Sequence, residues 1–141
     1  LTDVTGVQTC ALPIYAFKNN GKFTIVFQNF GPGIRQPQNI EIAIYRICQE
    51  LINNAIKHAN CTEILIQLVN ELSRIHLTVQ DNGHGFNTDN LSSQTGQGLH
   101  NIRNRIYALN GKLEISSNPQ NGTEISCEFE IKNQYGKNIN S

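Results

Sequence analysis

The order in which hydrophobic periodicity changes along the chain most constrains its fold. From residue 38 to about residue 59, aliphatic side chains recur every three or four positions, which is typical of an amphipathic helix with one buried face. The runs 62–70 and 74–81 then alternate apolar and polar residues, which is typical of two strands. A short polar turn separates these runs, so we expect a hairpin.

Further runs of both kinds flank this unit. A β-rich run, 23–30, precedes the helix, and a glycine- and polar-rich loop, 82–98, follows the hairpin. A second helical pattern covers 99–110, and the runs 112–117 and 123–131 form a last hairpin. The order predicts an α+β fold: a two-layer α/β sandwich with a mixed, mostly antiparallel sheet and helices on one face.

The length suits one domain, which we place at residues 15–132. Residues 4–14, VTGVQTCALPI, resemble the translation of a common short-read sequencing adapter, so we treat residues 1–14 as an artefactual or disordered head. The polar tail, residues 133–141, is expected to be disordered. Because the chain lacks methionine, we expect it to be a piece of a longer gene.

Charge and cysteine content exclude several classes of protein. With 11 basic and 11 acidic residues, nothing favours binding to nucleic acid or to an anionic membrane. No run approaches the roughly 18 apolar residues that span a bilayer. The cysteines lack C-x-x-C spacing and the histidines lack the spacing of a zinc site, so we expect reduced thiols in a cytoplasmic chain. A membrane anchor elsewhere in the full-length protein stays open.

The polar face of the first helix carries Glu50, Asn53, Asn54 and Lys57. At about 100° per residue, these side chains fall within an arc of roughly 100°. A carboxylate can accept a proton, an amide oxygen suits Mg²⁺, and lysine attracts phosphate. The stripe therefore suits a magnesium–triphosphate, although a solvated helix face would also accommodate it.

Two glycine-containing motifs follow. In DNGHGF, Asp81 lies on the aliphatic face of its strand, where a buried carboxylate needs a partner such as the amine of a base, and Gly83 and Gly85 allow close backbone approach. An ordinary β-turn is the alternative. In TGQGLHNI, Gly96 and Gly98 precede the second helix, where backbone amides bind anions; a glycine-hinged loop is the alternative. No G-K-[ST] follows, so this is not a Walker loop.

Together the three motifs resemble the N, G1 and G2 boxes of the GHKL ATP-binding fold of sensor histidine kinases, gyrase and Hsp90 chaperones. The resemblance covers residues 22–131. The segments IYRICQELINNAIKHA, DNGHGF, GQGLHNIRNRI and LEISSNPQNGTEISCEF are most similar to sensor kinases that pair with NarL/LuxR-type response regulators.

The resemblance implies a role for each matching position. Asn54 would bind Mg²⁺, and Glu50 would orient water or act as general base. Lys57 and His58 would face the phosphates, and Asn53 would be a further ATP-binding residue. Asp81 would accept the adenine amino group, in a pocket formed with other ATP-binding residues: Gly83, Gly85, Phe86 and Thr123. Lid and helix-start amides would come from Gly96, Gly98 and Leu99.

The implied activity is that of a protein histidine kinase that uses ATP and Mg²⁺. The family's phosphoacceptor histidine lies on an upstream dimerisation segment that this chain does not contain. We therefore expect no autophosphorylation by the chain alone, and a homodimer only in the full-length protein. An anti-sigma-factor serine kinase of the same fold, or a nucleotide-binding module without phosphotransfer, are the alternatives.

Overall fold

The computed structural model describes residues 24–31, 36–58, 61–84, 94–118 and 120–131, with all side chains except those of residues 58, 94–97 and 118. These ranges contain five strands and two helices, in chain order β1 (Thr24–Phe30), α1 (Gln38–His58), β2 (Glu63–Asn70), β3 (Arg74–Asp81), α2 (Gln94–Ala108), β4 (Lys112–Asn118) and β5 (Gly122–Glu130). The predicted head, residues 1–14, and tail, residues 133–141, lie outside the described residues.

The five strands form one mixed sheet in the order β1-β2-β3-β5-β4. β1 runs parallel to β2, and the other three pairs, β2–β3, β3–β5 and β4–β5, are antiparallel. A parallel pair needs a long crossover connection, which α1 supplies here. The predicted α+β architecture and both predicted hairpins are confirmed.

Both helices pack on one face of the sheet, and the core lies between the two layers. On β3, Ile75, Leu77 and Val79 are buried at every second position, as the alternation predicted. On α1, Ile44 and Ile47 have 0% of their surface exposed. Burial of each such side chain stabilises the fold by roughly 1.5–3 kcal/mol. Neither helix of the described ranges combines the length and the hydrophobicity needed to span a bilayer.

The start of α1 is fixed by a buried polar cluster that the sequence did not predict. The Pro37 carbonyl accepts the N–H groups of Ile40 at 3.0 Å and Glu41 at 3.1 Å. The Glu41 carboxylate reaches back to accept the N–H of Gln36 at 3.3 Å, and the Gln36 side chain donates to that of Asn70 at the end of β2. Because Gln36, Glu41 and Asn70 are all buried, these contacts compensate for lost hydration.

The predicted start of α2 was wrong. The sequence pattern placed residues 82–98 in a loop and the helix at 99–110, whereas α2 already begins at Gln94. Gly96 and Gly98 are therefore helical residues, although glycine in a helix interior costs about 1 kcal/mol relative to alanine. A tertiary contact of Gly98 with α1, described below, explains why a residue without a side chain is required there.

This earlier start changes what the backbone of α2 can offer a ligand. The first four N–H groups of an α-helix lack an intrahelical partner, and Gly96 belongs to that first turn. Gly98 and Leu99 lie beyond it, and the Leu99 side chain is buried in the core. Gly98 and Leu99 therefore do not belong to the first turn of α2, and their membership of an ATP site stays a prediction.

The C-terminal end of α2 agrees with the predicted Asn-Gly stop. Asn110 adopts a left-handed conformation with φ of 57°. Its N–H donates to the Tyr107 carbonyl at 3.0 Å, and the N–H of Gly111 donates to the Ile106 carbonyl at 2.9 Å. This is the Schellman arrangement, which satisfies helix-end carbonyls and directs the chain into β4.

Candidate functional site

Part of the polar stripe of α1 lies on the side of the helix that approaches α2. Glu50, Asn53 and Asn54 are partly buried, and Lys57 is exposed. The four side chains therefore do not share one environment. Two of them, Glu50 and Asn54, contact α2 directly, which a purely solvated helix face would not do.

The contact is centred on Gly98. A Cβ atom placed on Gly98 would lie 2.5 Å from Oε1 of Glu50 and 3.2 Å from Nδ2 of Asn54. Glycine is thus required by close packing, since a side chain here would displace polar groups of the neighbouring helix. The structure brings Glu50, Asn54 and Gly98 together, and their membership of one ATP site stays a prediction.

Asn54 carries a buried donor that nothing in the described part of the chain satisfies. The Nδ2 atom is inaccessible to solvent and has no hydrogen-bond partner. An unsatisfied buried donor costs about 1–3 kcal/mol. Such a cost is typical of positions kept for a ligand rather than for stability.

The donor set around Asn54 fits a magnesium ion bound together with its substrate. In the described ranges, no three His, Cys, Asp or Glu residues come close enough to hold a metal ion. Mg²⁺ usually takes one or two protein oxygens and completes its shell with water and phosphate oxygens. The amide oxygen of Asn54 and the carboxylate of Glu50 are ligands of that kind, beside each other at Gly98.

A second group of site residues surrounds Asp81 at the end of β3. Asp81 is partly buried, and its Oδ1 accepts the N–H of Gly83 at 2.9 Å. Burial raises the pKa of the Asp81 carboxyl, and backbone hydrogen bonds from Gly83 and Thr123 oppose that increase. The carboxylate is therefore held in one orientation at moderate desolvation, as an acceptor for a ligand donor requires.

Thr123 reaches this position through the register of the sheet. Asp81 pairs with Thr123 on β5, which pairs with Ser117 on β4. The hydroxyls of Ser117 and Thr123 lie 2.8 Å apart, and Ser117 Oγ also donates to the Gly122 carbonyl at 3.3 Å. Gly122 has a φ of 83° and packs against the Asp81 carbonyl so closely that no Cβ fits. Sequence reasoning had found Thr123 but missed Ser117.

Cys61 connects the two groups. Its thiol donates to the carbonyl of Ala55, the residue after Asn54, at 3.4 Å. Burial raises the pKa of the Cys61 thiol, and the nearby Asp81 carboxylate raises it further. The C-terminal end of α1 therefore lies close to Asp81. Because Cys61 stands outside every motif, only the folded structure reveals this link.

Three predicted site residues lie wholly or partly outside the described residues. Gly85 and Phe86 lie outside the described residues, and for His58 the structure gives the helix position without the side chain. A groove of about 730 Å³ runs between the helices, lined by Glu50 and continuing past Arg46 and Arg105.

Comparison with known proteins identifies the family of this chain. The model of the family "Histidine kinase-, DNA gyrase B-, and HSP90-like ATPase" matches residues 39–133. The chain is 29% identical over 132 residues to the signal transduction histidine-protein kinase/phosphatase DegS of Brevibacillus brevis, covering 93% of this chain and 34% of the relative. It is 38% identical over 105 residues to the sensor protein VraS of Staphylococcus epidermidis, covering 74% of this chain and 29% of the relative.

Solved structures show the same fold. The catalytic domain of histidine kinase ThkA superposes with a TM-score of 0.71 at 17% identity, covering 89% of this chain and 90% of that domain. The Acinetobacter baumannii histidine kinase AdeS gives a TM-score of 0.72 at 20% identity, covering 89% of this chain and 64% of AdeS. The chain therefore belongs to the family of histidine kinase-, DNA gyrase B- and HSP90-like ATPases.

Proposed function

We propose that this chain is the ATP-binding catalytic domain of a sensor histidine kinase. In the full protein it would transfer the γ-phosphoryl of ATP to a histidine on a dimerisation segment, and then to an aspartate of a NarL/LuxR-type response regulator. The observation that carries the proposal is the contact of Gly98 with Glu50 and Asn54, beside an unsatisfied Asn54 donor. The kinase names of the relatives support the choice of reaction.

Asp81 recognises the adenine in this proposal. An ionised carboxylate only accepts hydrogen bonds, so it pairs with the exocyclic amino group of adenine and discriminates against guanine, which presents a carbonyl there. The hydrogen bond from Gly83 fixes the carboxylate before the base arrives. The Thr123 hydroxyl, held by Ser117, supports the same side of the pocket.

The phosphates lie along α1 toward α2. Asn54 would hold Mg²⁺ through its amide oxygen, and its buried Nδ2 has no hydrogen-bond partner among the described residues. When bound, Mg²⁺ neutralises the negative charge of the phosphates. Lys57 adds positive charge from the exposed side of α1, and the Gly96 amide lies in the first turn of α2.

Glu50 is the residue that we assign to the chemical step. An imidazole nitrogen attacks the γ-phosphorus, the bond from that phosphorus to the β–γ bridging oxygen breaks, and ADP leaves. Glu50 accepts the imidazole proton or orients the water that does so, and its carboxylate lies close against Gly98. Most of the rate enhancement would come from positioning and from stabilisation of phosphate charge.

Isothermal titration with Mg·ATP tests the binding part of the proposal. The wild-type chain should bind. Asn54→Asp should abolish measurable binding because it places a negative charge beside the phosphates. Asp81→Asn should do the same because it replaces the carboxylate that accepts the adenine amino group with an amide. Gln67→Ala is a matched control, since it removes an amide that donates to Gln28 on β1, away from the candidate site. Unchanged affinity in both site variants would refute the assignment.

Phosphotransfer needs a separate assay. The chain, Mg·ATP and a purified dimerisation segment from a related kinase are combined, and acid-labile phosphohistidine is measured. Phosphohistidine that is lost in Glu50→Ala supports the kinase assignment. Binding of ATP without any transfer would instead favour a nucleotide-binding module, and phosphoserine on a small antagonist protein would favour the anti-sigma-factor kinase.

A further inference from the structure

The side chain of Asn82 ties the end of β3 to the residues that start β2. Its Oδ1 accepts the backbone N–H groups of Thr62 and Glu63, both at 2.9 Å. Its Nδ2 donates to Oγ1 of Thr62 at 2.9 Å, and its own N–H donates to the Glu63 carbonyl at 3.3 Å. Three of the four hydrogen-bonding positions of the amide are thus used on one short segment.

Asn82 and Thr62, the two partners in this contact, are both next to residues of the candidate site. Asn82 stands between Asp81 and Gly83, which are bonded to each other. Thr62 directly follows Cys61, whose thiol donates to Ala55 at the end of α1. A continuous path of short contacts therefore runs from the Asp81 turn, through Asn82 and residues 61–63, to the helix end that carries Asn54.

We propose that Asn82 is a positioning residue that sets the spacing between the Asp81 turn and the phosphate-side residues of α1. This inference rests on the proposed function, because it assigns the Asp81 turn to the adenine and the residues of α1 to the phosphates of one nucleotide. The contact is exposed, so its hydrogen bonds add little to stability. Its consequence is geometric: ATP must reach Asp81 and Asn54 at the same time.

A ligand that contacts both the Asp81 turn and the phosphate-side residues of α1 gains affinity when the distance between these two groups is fixed. Once one end is bound, the other end meets its partner at high effective concentration, and this advantage falls when the spacing fluctuates. Adenosine reaches only the Asp81 side and does not depend on the spacing. The ratio of the two affinities therefore reports positioning, whereas a general loss of structure would weaken both ligands together.

The test compares Mg·ATP, by calorimetry, with adenosine, by NMR chemical-shift titration, on the 141-residue chain. Asn82→Ala should weaken Mg·ATP at least about tenfold and adenosine less than about threefold. Thr62→Val removes only the contact of Nδ2 with Oγ1 and should weaken Mg·ATP about two- to threefold, which keeps the test available if Asn82→Ala does not fold. Gln67→Ala, which removes another exposed inter-strand amide contact, should leave both ligands unchanged.

Equal losses for ATP and adenosine in Asn82→Ala, or no loss of either, would overturn the positioning role while leaving the proposed function intact. If Asn82→Ala does not fold, unchanged ATP binding by Thr62→Val would overturn it instead. Failure of the wild-type chain to bind Mg·ATP would overturn the proposed function, and the inference about Asn82 with it. The thermal unfolding midpoint of each variant, measured without ligand, confirms that the compared proteins are folded.

Discussion

A methyl group on Gly98 would come within 2.5 Å of Oε1 of Glu50. Elsewhere in a helix, replacing glycine by alanine stabilises by about 1 kcal/mol. In Gly98→Ala the clash with α1 should cancel that gain, so the free energy of unfolding should not increase. Because Glu50 and Asn54 must both move, Mg·ATP affinity should fall at least about tenfold. Urea unfolding and calorimetry measure the two quantities.

Asn104→Ala provides the matched control for Gly98→Ala. Asn104 is exposed on the same helix, so its replacement gains helix propensity without a clash. It should raise stability by a few tenths of a kcal/mol and leave Mg·ATP binding unchanged. If Gly98→Ala instead gains the full helix-propensity increment and binds normally, the close contact between the helices is absent in solution.

Asn54→Ala should separate stability from ligand binding. The substitution removes a buried donor without a partner in the described residues, and it places a better helix former in α1. We expect the free energy of unfolding of the ligand-free chain to rise by about 1 kcal/mol, measured in urea, while Mg·ATP binding is lost. Asn53→Ala has no such donor to remove and should show only the smaller propensity gain. A loss of stability in Asn54→Ala would mean that Nδ2 has a partner in solution.

The sequence allowed the sheet to be predicted closely. Residues 74–81 were expected to form a strand and do so, because alternating burial in a one-sided sheet imposes a period of two that few other structures share. The 21 residues of α1 were predicted for a similar reason, since a stripe repeating every three or four residues persists over the whole helix. Long elements with a regular hydrophobic period can therefore be predicted from the sequence alone.

The site could be predicted in its residues but not in its packing. Glycine at positions 96 and 98 lowers the local helix propensity, so the sequence pattern predicts a loop there. The close approach of α1 to Gly98 explains why the helix nevertheless has glycine at position 98. The contacts of Asn82 with Thr62 and of Cys61 with Ala55 join residues without any repeating pattern. Such polar contacts depend on the finished fold, so no local pattern of residues indicates them.

Asp81→Asn should make the ligand-free chain more stable, by an amount that depends on pH. Burial raises the pKa of Asp81, so the folded state holds the proton more tightly than the unfolded state. The contribution of Asp81 to stability is therefore fully present below its unfolded pKa and is lost as pH rises through the raised folded pKa. Asparagine has no charge to desolvate and can still accept the N–H of Gly83.

The difference in free energy of unfolding between Asp81→Asn and wild type should thus be near zero in acid and reach a plateau at neutral pH. We expect a plateau of about 0.5 kcal/mol, small because the carboxylate remains partly exposed to screening by solvent. Urea unfolding from acid to neutral pH measures it. A stability difference that grows toward acid pH would mean that the pKa of Asp81 is lowered in the folded state.

The link between Asp81 and Cys61 predicts how the thiols react. Cys48 and Cys127 are buried, and burial raises the pKa of Cys127, so iodoacetamide should modify Cys61 first among these three. The pKa of Cys61 is itself raised, by burial and then by the Asp81 charge, so its alkylation should still accelerate as pH rises above neutrality. Peptide mapping by mass spectrometry assigns each modified cysteine.

Removing the Asp81 charge should lower the pKa of Cys61 and so increase its thiolate fraction. Alkylation of Cys61 at pH 8 should then be faster in Asp81→Asn than in wild type. Glu63→Gln is the control, because it removes an exposed carboxylate that is closer to Cys61 in sequence, whereas the charge that raises the pKa of Cys61 is that of Asp81. Equal rates in wild type and Asp81→Asn would separate Cys61 from Asp81, and the connection between the end of α1 and the Asp81 turn would have to be sought through other residues.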